Sequence, residues 1–160
     1  MKAESTSTRL GMLTPSSNTV LEPLTFDMLA NQSNISVHFS RFRVLKISLE
    51  SDSLGQFSYD PMLEAADLLA DAQVQSICWN GTSSGWLGFE NDRTLIAEIE
   101  ARTGIKACSS ILAMNELLTK FNAKKIGFVT PYLNEIQQKI LNNYRSEGYE
   151  IAGEKHIGDP

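Results

Sequence analysis

The run Thr82-Ser83-Ser84-Gly85 follows directly on the apolar segment Ser76-Ile77-Cys78-Trp79-Asn80 and Gly81. A buried strand that ends in small hydroxyl residues and glycine, just before a helix, aims backbone N–H groups and two or three hydroxyls at one point. That cradle suits a carboxylate or a developing enolate oxygen. A second loop of the same kind follows Leu10-Gly11-Met12-Leu13 and reads Thr14-Pro15-Ser16-Ser17-Asn18-Thr19. In a parallel α/β sheet the strand C-termini at the switch point open on a single crevice, so two such loops imply one site.

The elements that must hold these loops alternate between strand and helix. The first strand is expected over Arg9 to Leu13, followed by a helix from about Thr19 to Ala30 with Leu21, Leu24, Met28 and Leu29 at helical spacing. Pro23 falls in its first turn, where proline costs least. Ile35 to Leu45 contains a second strand, whose Arg41 and Arg43 favour an outer position, and Ser48 to Tyr59 is polar loop. Asp60-Pro61 reads as N-cap and first residue of a helix running to about Ala70. A third strand over Val74 to Asn80 precedes a helix from roughly Asn91 to Thr103, ended by Gly104. A short strand over Lys106 to Cys108, a helix from Ser110 to Phe121 and a strand over Lys125 to Thr130 come next. The last helix carries Ile136, Ile140, Leu141 and Tyr144 on one face and stops at Gly148, before a strand over Tyr149 to Ile157. Repeated units of this length predict an α/β fold with a doubly wound parallel sheet. The final strand has no helix to cover it, although parallel sheets are buried on both faces. Either the chain is a piece of a longer one or a partner supplies the cover, and association into a homo-oligomer is expected.

Composition narrows the function. A chain of 160 residues with 42% apolar content can bury a proper core. A net charge of −5 without any basic run argues against nucleic acid as partner. No stretch approaches the ~20 apolar residues of a membrane span, and the N-terminus lacks a signal-peptide core, so a cytoplasmic setting is expected. The two cysteines, Cys78 and Cys108, form neither a CxxC nor a zinc spacing and are expected as reduced thiols. His38 and His156 have no ligand pattern around them, and no metal site is expected. The absence of a G-x-G-x-x-G or G-K-[ST] motif disfavours nucleotide binding.

The loops also carry a family resemblance. Gly11-Met12-Leu13-Thr14-Pro15-Ser16-Ser17-Asn18-Thr19-Val20-Leu21-Glu22-Pro23 resembles the opening of the maleate isomerase and arylmalonate decarboxylase branch of the Asp/Glu racemase superfamily. Gly81-Thr82-Ser83, Ala107-Cys108-Ser109-Ser110 with Ala113, and Val129-Thr130-Pro131-Tyr132 are similar to it in the same order. The resemblance implies a cofactor-free enzyme acting at the carbon next to a carboxylate of a small (di)carboxylic acid, by isomerisation, racemisation or decarboxylation. It also implies two similar flavodoxin-like α/β halves, here 1–120 and the start of a second over 121–160, with the active site between them. Two-thiol members place one cysteine at the start of the loop after the third strand. Gly81 stands there in this chain, as in the decarboxylase pattern, and the thiol of the second half would lie beyond Pro160.

The resemblance assigns Pro15, Ser16, Asn18, Gly81, Thr82, Ser83 and Tyr132 to substrate binding. Each also has a simpler role. Thr82 and Ser83 could cap the next helix, Asn18 could be an N-cap, and Pro15, Ser16 and Ser17 could shape a turn. Tyr132 could be a surface phenol, and Gly81 a turn glycine at positive φ. Cys78 lies roughly 10 Å upstream of Gly81 at ~3.3 Å per residue and is read as core packing. Cys108, just before a helix start that could lower its pKa, is read as structural. A carboxylate-binding or regulatory domain of the same fold, without chemistry, is the alternative function.

Overall fold

The computed structural model describes residues 7–43 and 59–158. The expected end of the second strand at Leu45, the loop from Ser48 up to Tyr59, and Asp159-Pro160 lie outside them. Alternating short apolar runs and amphipathic stretches fold in the order β1 (Thr8–Pro15), α1 (Leu21–Leu29), β2 (Ile35–Phe42), α2 (Asp60–Asp71), β3 (Ser76–Trp79) and α3 (Ser84–Leu87). They continue as α4 (Phe89–Thr103), β4 (Lys106–Ser109), α5 (Ser110–Lys120), β5 (Lys125–Thr130), α6 (Asn134–Ser146) and β6 (Glu150–His156). Each strand pairing is parallel, as βα alternation requires. Among the described residues no helix is long and apolar enough to cross a membrane.

The chain divides into two units, Met1–Gly81 with Thr94–Ser110, and Thr82–Arg93 with Ile111–Pro160. In the first, the sheet order is β2-β1-β3-β4, which puts the arginine-bearing β2 at the edge. Leu13 pairs with Ser40 on one side and Trp79 on the other, so these residues share a face. On that face Leu13, Ile77 and Trp79 pack with Met62, Leu63, Ala66 and Leu69 of α2 and with Leu95 and Ile99 of α4. Each such aliphatic side chain contributes roughly 1.5–3 kcal/mol by leaving water. Period-two alternation sends Leu10, Met12, Cys78 and Cys108 to the opposite face, where they are half-buried or exposed. The expected apolar stripe of α1 is not buried, Met28 being 76% exposed, and the helix touches the sheet through Phe26 against Phe39 at 5.7 Å. The α2 start also differs: Tyr59 occupies the cap position and Asp60 is already helical, with no side-chain cap bond. Proline is tolerated throughout a first turn, so Asp-Pro does not fix the cap to one residue.

In the second unit β5 pairs with β6, and α6 lays Ile136, Ile140 and Tyr144 toward Ile126 and Phe128. Tyr144 is 1% exposed, ringed by Phe89, Phe128 and Tyr149, and its Oη donates to Asn115 Oδ1 at 2.9 Å. Burial pushes its phenol well above the usual tyrosine range. The short helix α3 was not anticipated, and α4 starts earlier than Asn91. Gly88, at φ 103°, breaks what would otherwise be one helix, in a conformation that favours glycine.

Candidate functional site

The loop after β1 is organised by its own side chains. Asn18 Oδ1 accepts from the backbone N–H of Val20 at 3.0 Å and of Leu21 at 2.9 Å, so it satisfies the entry to α1. Asn18 N–H donates back to Pro15 O at 3.0 Å, and Ser16 N–H to Phe42 O at 2.9 Å, closing Pro15–Asn18 into a turn. Arg41 of β2 holds that turn from outside: its Nη1 donates to Asn18 O at 2.8 Å and Ser16 O at 3.1 Å, while its Nη2 pairs with Glu22 at 2.9 Å. Pro15 therefore shapes a turn as expected, whereas Asn18 accepts at the entry to α1 without being its N-cap, which is Val20. Ser16 is exposed. Thr14 Oγ1 is fully buried and has no hydrogen-bond partner among the described residues. A buried hydroxyl left in that state is costly and marks a place for water or ligand.

The strands β1 and β3 are parallel neighbours with Leu13 opposite Trp79, so Pro15 and Gly81 leave the sheet at the same edge. Gly81 is not among the positive-φ glycines, so the expected turn role is not its reason. Its reason is the Trp79 indole. A Cβ built on Gly81 would overlap Cζ2, Cε2 and Cη2 of that ring. Trp79 is itself held, 7% exposed and packed on Phe42 with ring centres 5.4 Å apart. Just before Gly81, Asn80 Nδ2 donates to Met12 Sδ at 2.8 Å, and its Oδ1 accepts from Ser110 Oγ at 3.3 Å and Cys78 Sγ at 3.4 Å.

In the second unit the structure brings Thr82 and Tyr132 together. Their hydroxyl oxygens are 2.5 Å apart, and either can be the donor. Two hydroxyls hold two protons and use one between them, which leaves one O–H for an anion. Tyr132 is fixed by an edge-to-face contact with Trp86 at 5.1 Å. Ser83 precedes α3 without a side-chain cap bond, so capping does not account for its hydroxyl. Ser84 Oγ donates to Asp92 Oδ2 at 2.8 Å, both residues being buried, and Asn143 Nδ2 donates to Gly85 O at 2.9 Å. These bonds fix the short turn that carries Thr82. A cavity of about 490 Å³ adjoins the hydroxyl pair, with Ile111, Met114, Phe128 and Val129 in its wall.

Sequence reasoning missed Arg41, Trp79 and Asp92 as determinants of the loops. Arg41 could have been found: it is a charge near the C-terminal end of a strand beside the loop it serves. The reach of Trp79 over Gly81 is a rotamer choice and leaves no sequence signal. Cys78 is half-buried on the sheet face away from the core, so it is not the core residue expected of it, and Cys108 is exposed. The thiol of Cys108 is held down at about 7 by a hydrogen bond from Cys78, against the desolvation that pushes it up.

No family model matches the chain. A maleate isomerase of Pseudomonas putida is 27% identical over 154 residues, covering 89% of this chain and 60% of that relative. The chain thus spans about three fifths of the length of the curated relatives it matches. Among solved structures, a Nocardia farcinica maleate cis-trans isomerase variant with a covalently bound succinylcysteine intermediate superposes with a TM-score of 0.79 at 21% identity, over 95% of this chain and 65% of that one. Unliganded arylmalonate decarboxylase superposes with a TM-score of 0.74 at 15% identity, over 96% and 62%. The chain is thus similar in sequence to maleate isomerases, and it shares its α/β fold with maleate isomerase and arylmalonate decarboxylase structures.

Proposed function

We propose that this chain is the substrate-binding part of a cofactor-independent enzyme that acts at the carbon next to a carboxylate of a small dicarboxylic acid. The Thr82–Tyr132 hydroxyl pair carries this reading. Its unshared O–H suits a carboxylate in the ground state and an enediolate oxygen better still, because the developing charge strengthens the bond. The cavity beside the pair suits the apolar portion of such an acid.

Gly81 directs the reading toward one-sided chemistry. Two-base racemisation or thiol-addition isomerisation needs a thiol on each face of the substrate. The Trp79 indole occupies the space that a side chain at residue 81 would take, so this position supplies no thiol. Loss of a carboxylate to give an enediolate, or protonation from one side by a group outside residues 1–160, is the chemistry that remains. The same observation favours, as the second reading, a carboxylate-binding domain without turnover.

The test is a titration of isotopically labelled chain with malonate and maleate, followed by amide shifts, together with an assay of α-proton exchange in D₂O. Shifts at Thr82, Ser83 and Tyr132 that are lost in Tyr132→Phe are expected. Binding without exchange selects the second reading. Shifts confined to surfaces remote from these residues refute the site.

A further inference from the structure

Cys78 and Cys108 occupy the same register position on adjacent parallel strands. Paired residues of a parallel ladder point to the same face, with Cα atoms roughly 4.8 Å apart. That separation lies inside the Cα window of about 4.4–6.8 Å that disulfides span. The two sulfurs differ in access: Cys108 is exposed and Cys78 is half-buried. They also differ in hydrogen bonding, since Cys78 Sγ has Asn80 Oδ1 as an acceptor at 3.4 Å. A thiol has one proton, so Cys78 can turn it toward Cys108 whenever that sulfur is ionised. Cys108 is then a stabilised, accessible thiolate with a resolving thiol one strand away.

We infer that Cys78 and Cys108 form a reversible redox pair on this sheet face, oxidised by a hydroperoxide to an intrachain disulfide. In the first step the Cys108 thiolate attacks the terminal oxygen of R–O–OH. A sulfur–oxygen bond forms, the O–O bond breaks, Cys108 becomes the sulfenic acid and the peroxide leaves as RO⁻. In the second step Cys78 sulfur attacks the sulfenic sulfur. The S–S bond forms, the S–O bond breaks, and hydroxide leaves with the Cys78 proton as water. Oxidation removes the S–H that Cys78 shares with Asn80, the residue immediately before Gly81. The pair is therefore coupled by one side chain to the segment that leads into Thr82, without contributing to the proposed binding residues.

Hydrogen peroxide in small excess over the reduced chain tests this. The expected product is a monomer lighter by two hydrogen atoms, whose unreduced proteolytic map joins the Cys78 and Cys108 peptides and whose two thiols return with dithiothreitol. The initial rate of thiol loss should rise with pH through about 7, because only the Cys108 thiolate attacks. Cys108→Ser should slow peroxide consumption about tenfold or more. Cys78→Ser should still react but halt at a sulfenic acid that dimedone traps. Oxidation of Cys108 to sulfinic acid with Cys78 left free would overturn the inference, as would a product of intermolecular dimers alone. The peptide map of the unsubstituted chain decides these outcomes even where a serine variant fails to fold.

Discussion

The loops that follow β1 and β3 leave one sheet edge from neighbouring strands and are built from similar residue types, yet they commit their polar groups differently. After β1, Asn18 Oδ1 is taken up by two backbone donors and Arg41 grips two carbonyls of the turn. That loop is held by its own chain. After β3, Gly81 has no side chain to commit, and Thr82 shares a proton with a tyrosine fifty residues away in sequence. A hydroxyl partnered by another hydroxyl, and not by backbone, leaves the pair one uncommitted O–H. Residue type alone does not distinguish a structural loop from a binding loop; the destination of each hydrogen bond does.

The largest effect that separates the two loops is expected at Gly81. In Gly81→Cys the new Cβ must displace a buried indole, and overpacking of this kind costs about 3 kcal/mol. Urea unfolding should show a lower midpoint at unchanged slope. Combining the substitution with Trp79→Leu should cost less than the sum of the two singles, because the ring that clashes is gone. An unchanged midpoint for Gly81→Cys alone would remove the indole as the reason for glycine here, and with it the argument for one-sided chemistry.

The second test sharpens the claim about the β3 loop. Tyr132→Phe and Thr82→Val each delete one hydroxyl of the pair. Each should weaken dicarboxylate affinity about tenfold, ~1.4 kcal/mol, while leaving the unfolding midpoint nearly unchanged. Isothermal calorimetry measures the first and denaturant titration the second. A large loss of stability with no loss of affinity would make the pair a structural bond, equivalent in kind to those of the β1 loop.

Much of this was legible in the sequence, and the limits have physical causes. Strand and helix positions follow apolar periodicity, and β5 was read over the residues it occupies. The edge position of β2 followed from Arg41 and Arg43, since charges are tolerated where one side of a strand meets water. The loops after β1 and β3 stood out because small hydroxyl residues and glycine there are a local signal. What was lost depends on non-local geometry. The four residues of α3 are too few to display a period. The sulfur pair needs both strand order and register, since thirty residues separate Cys78 from Cys108. Period-two alternation alone would have put Cys78 and Trp79 on opposite faces, and so Cys78 away from the indole. Which face was core required knowing where α2 and α4 pack.

A smaller effect is expected in the β1 loop. Asn18→Ala removes the acceptor for two N–H groups at the start of α1, which should cost about 1 kcal/mol. Asn18→Asp should keep most of the stability, because a carboxylate accepts the same bonds and a helix N-terminus favours negative charge. Denaturant titration measures both, and equal losses in the two variants would remove the accepted N–H bonds as the reason for Asn18.

The smallest effect tests whether the grip of Arg41 depends on charge or on hydrogen bonding. Its ion pair with Glu22 is partly solvated, the two side chains being 37% and 32% exposed, so water and salt screen much of the attraction. Glu22→Gln should therefore cost less than about 0.5 kcal/mol, and that cost should vanish as ionic strength rises. The bonds from Arg41 Nη1 to the carbonyls of Ser16 and Asn18 remain in that variant and keep the turn closed. Arg41→Lys retains the positive charge but loses the planar fork that serves Glu22 and the turn together, so it should destabilise more than Glu22→Gln. Denaturant midpoints at low and high salt measure both. A larger, salt-sensitive loss in Glu22→Gln would mean that the β1 loop is held by the ion pair and not by the donors of Arg41, and its contrast with the β3 loop would then be one of charge.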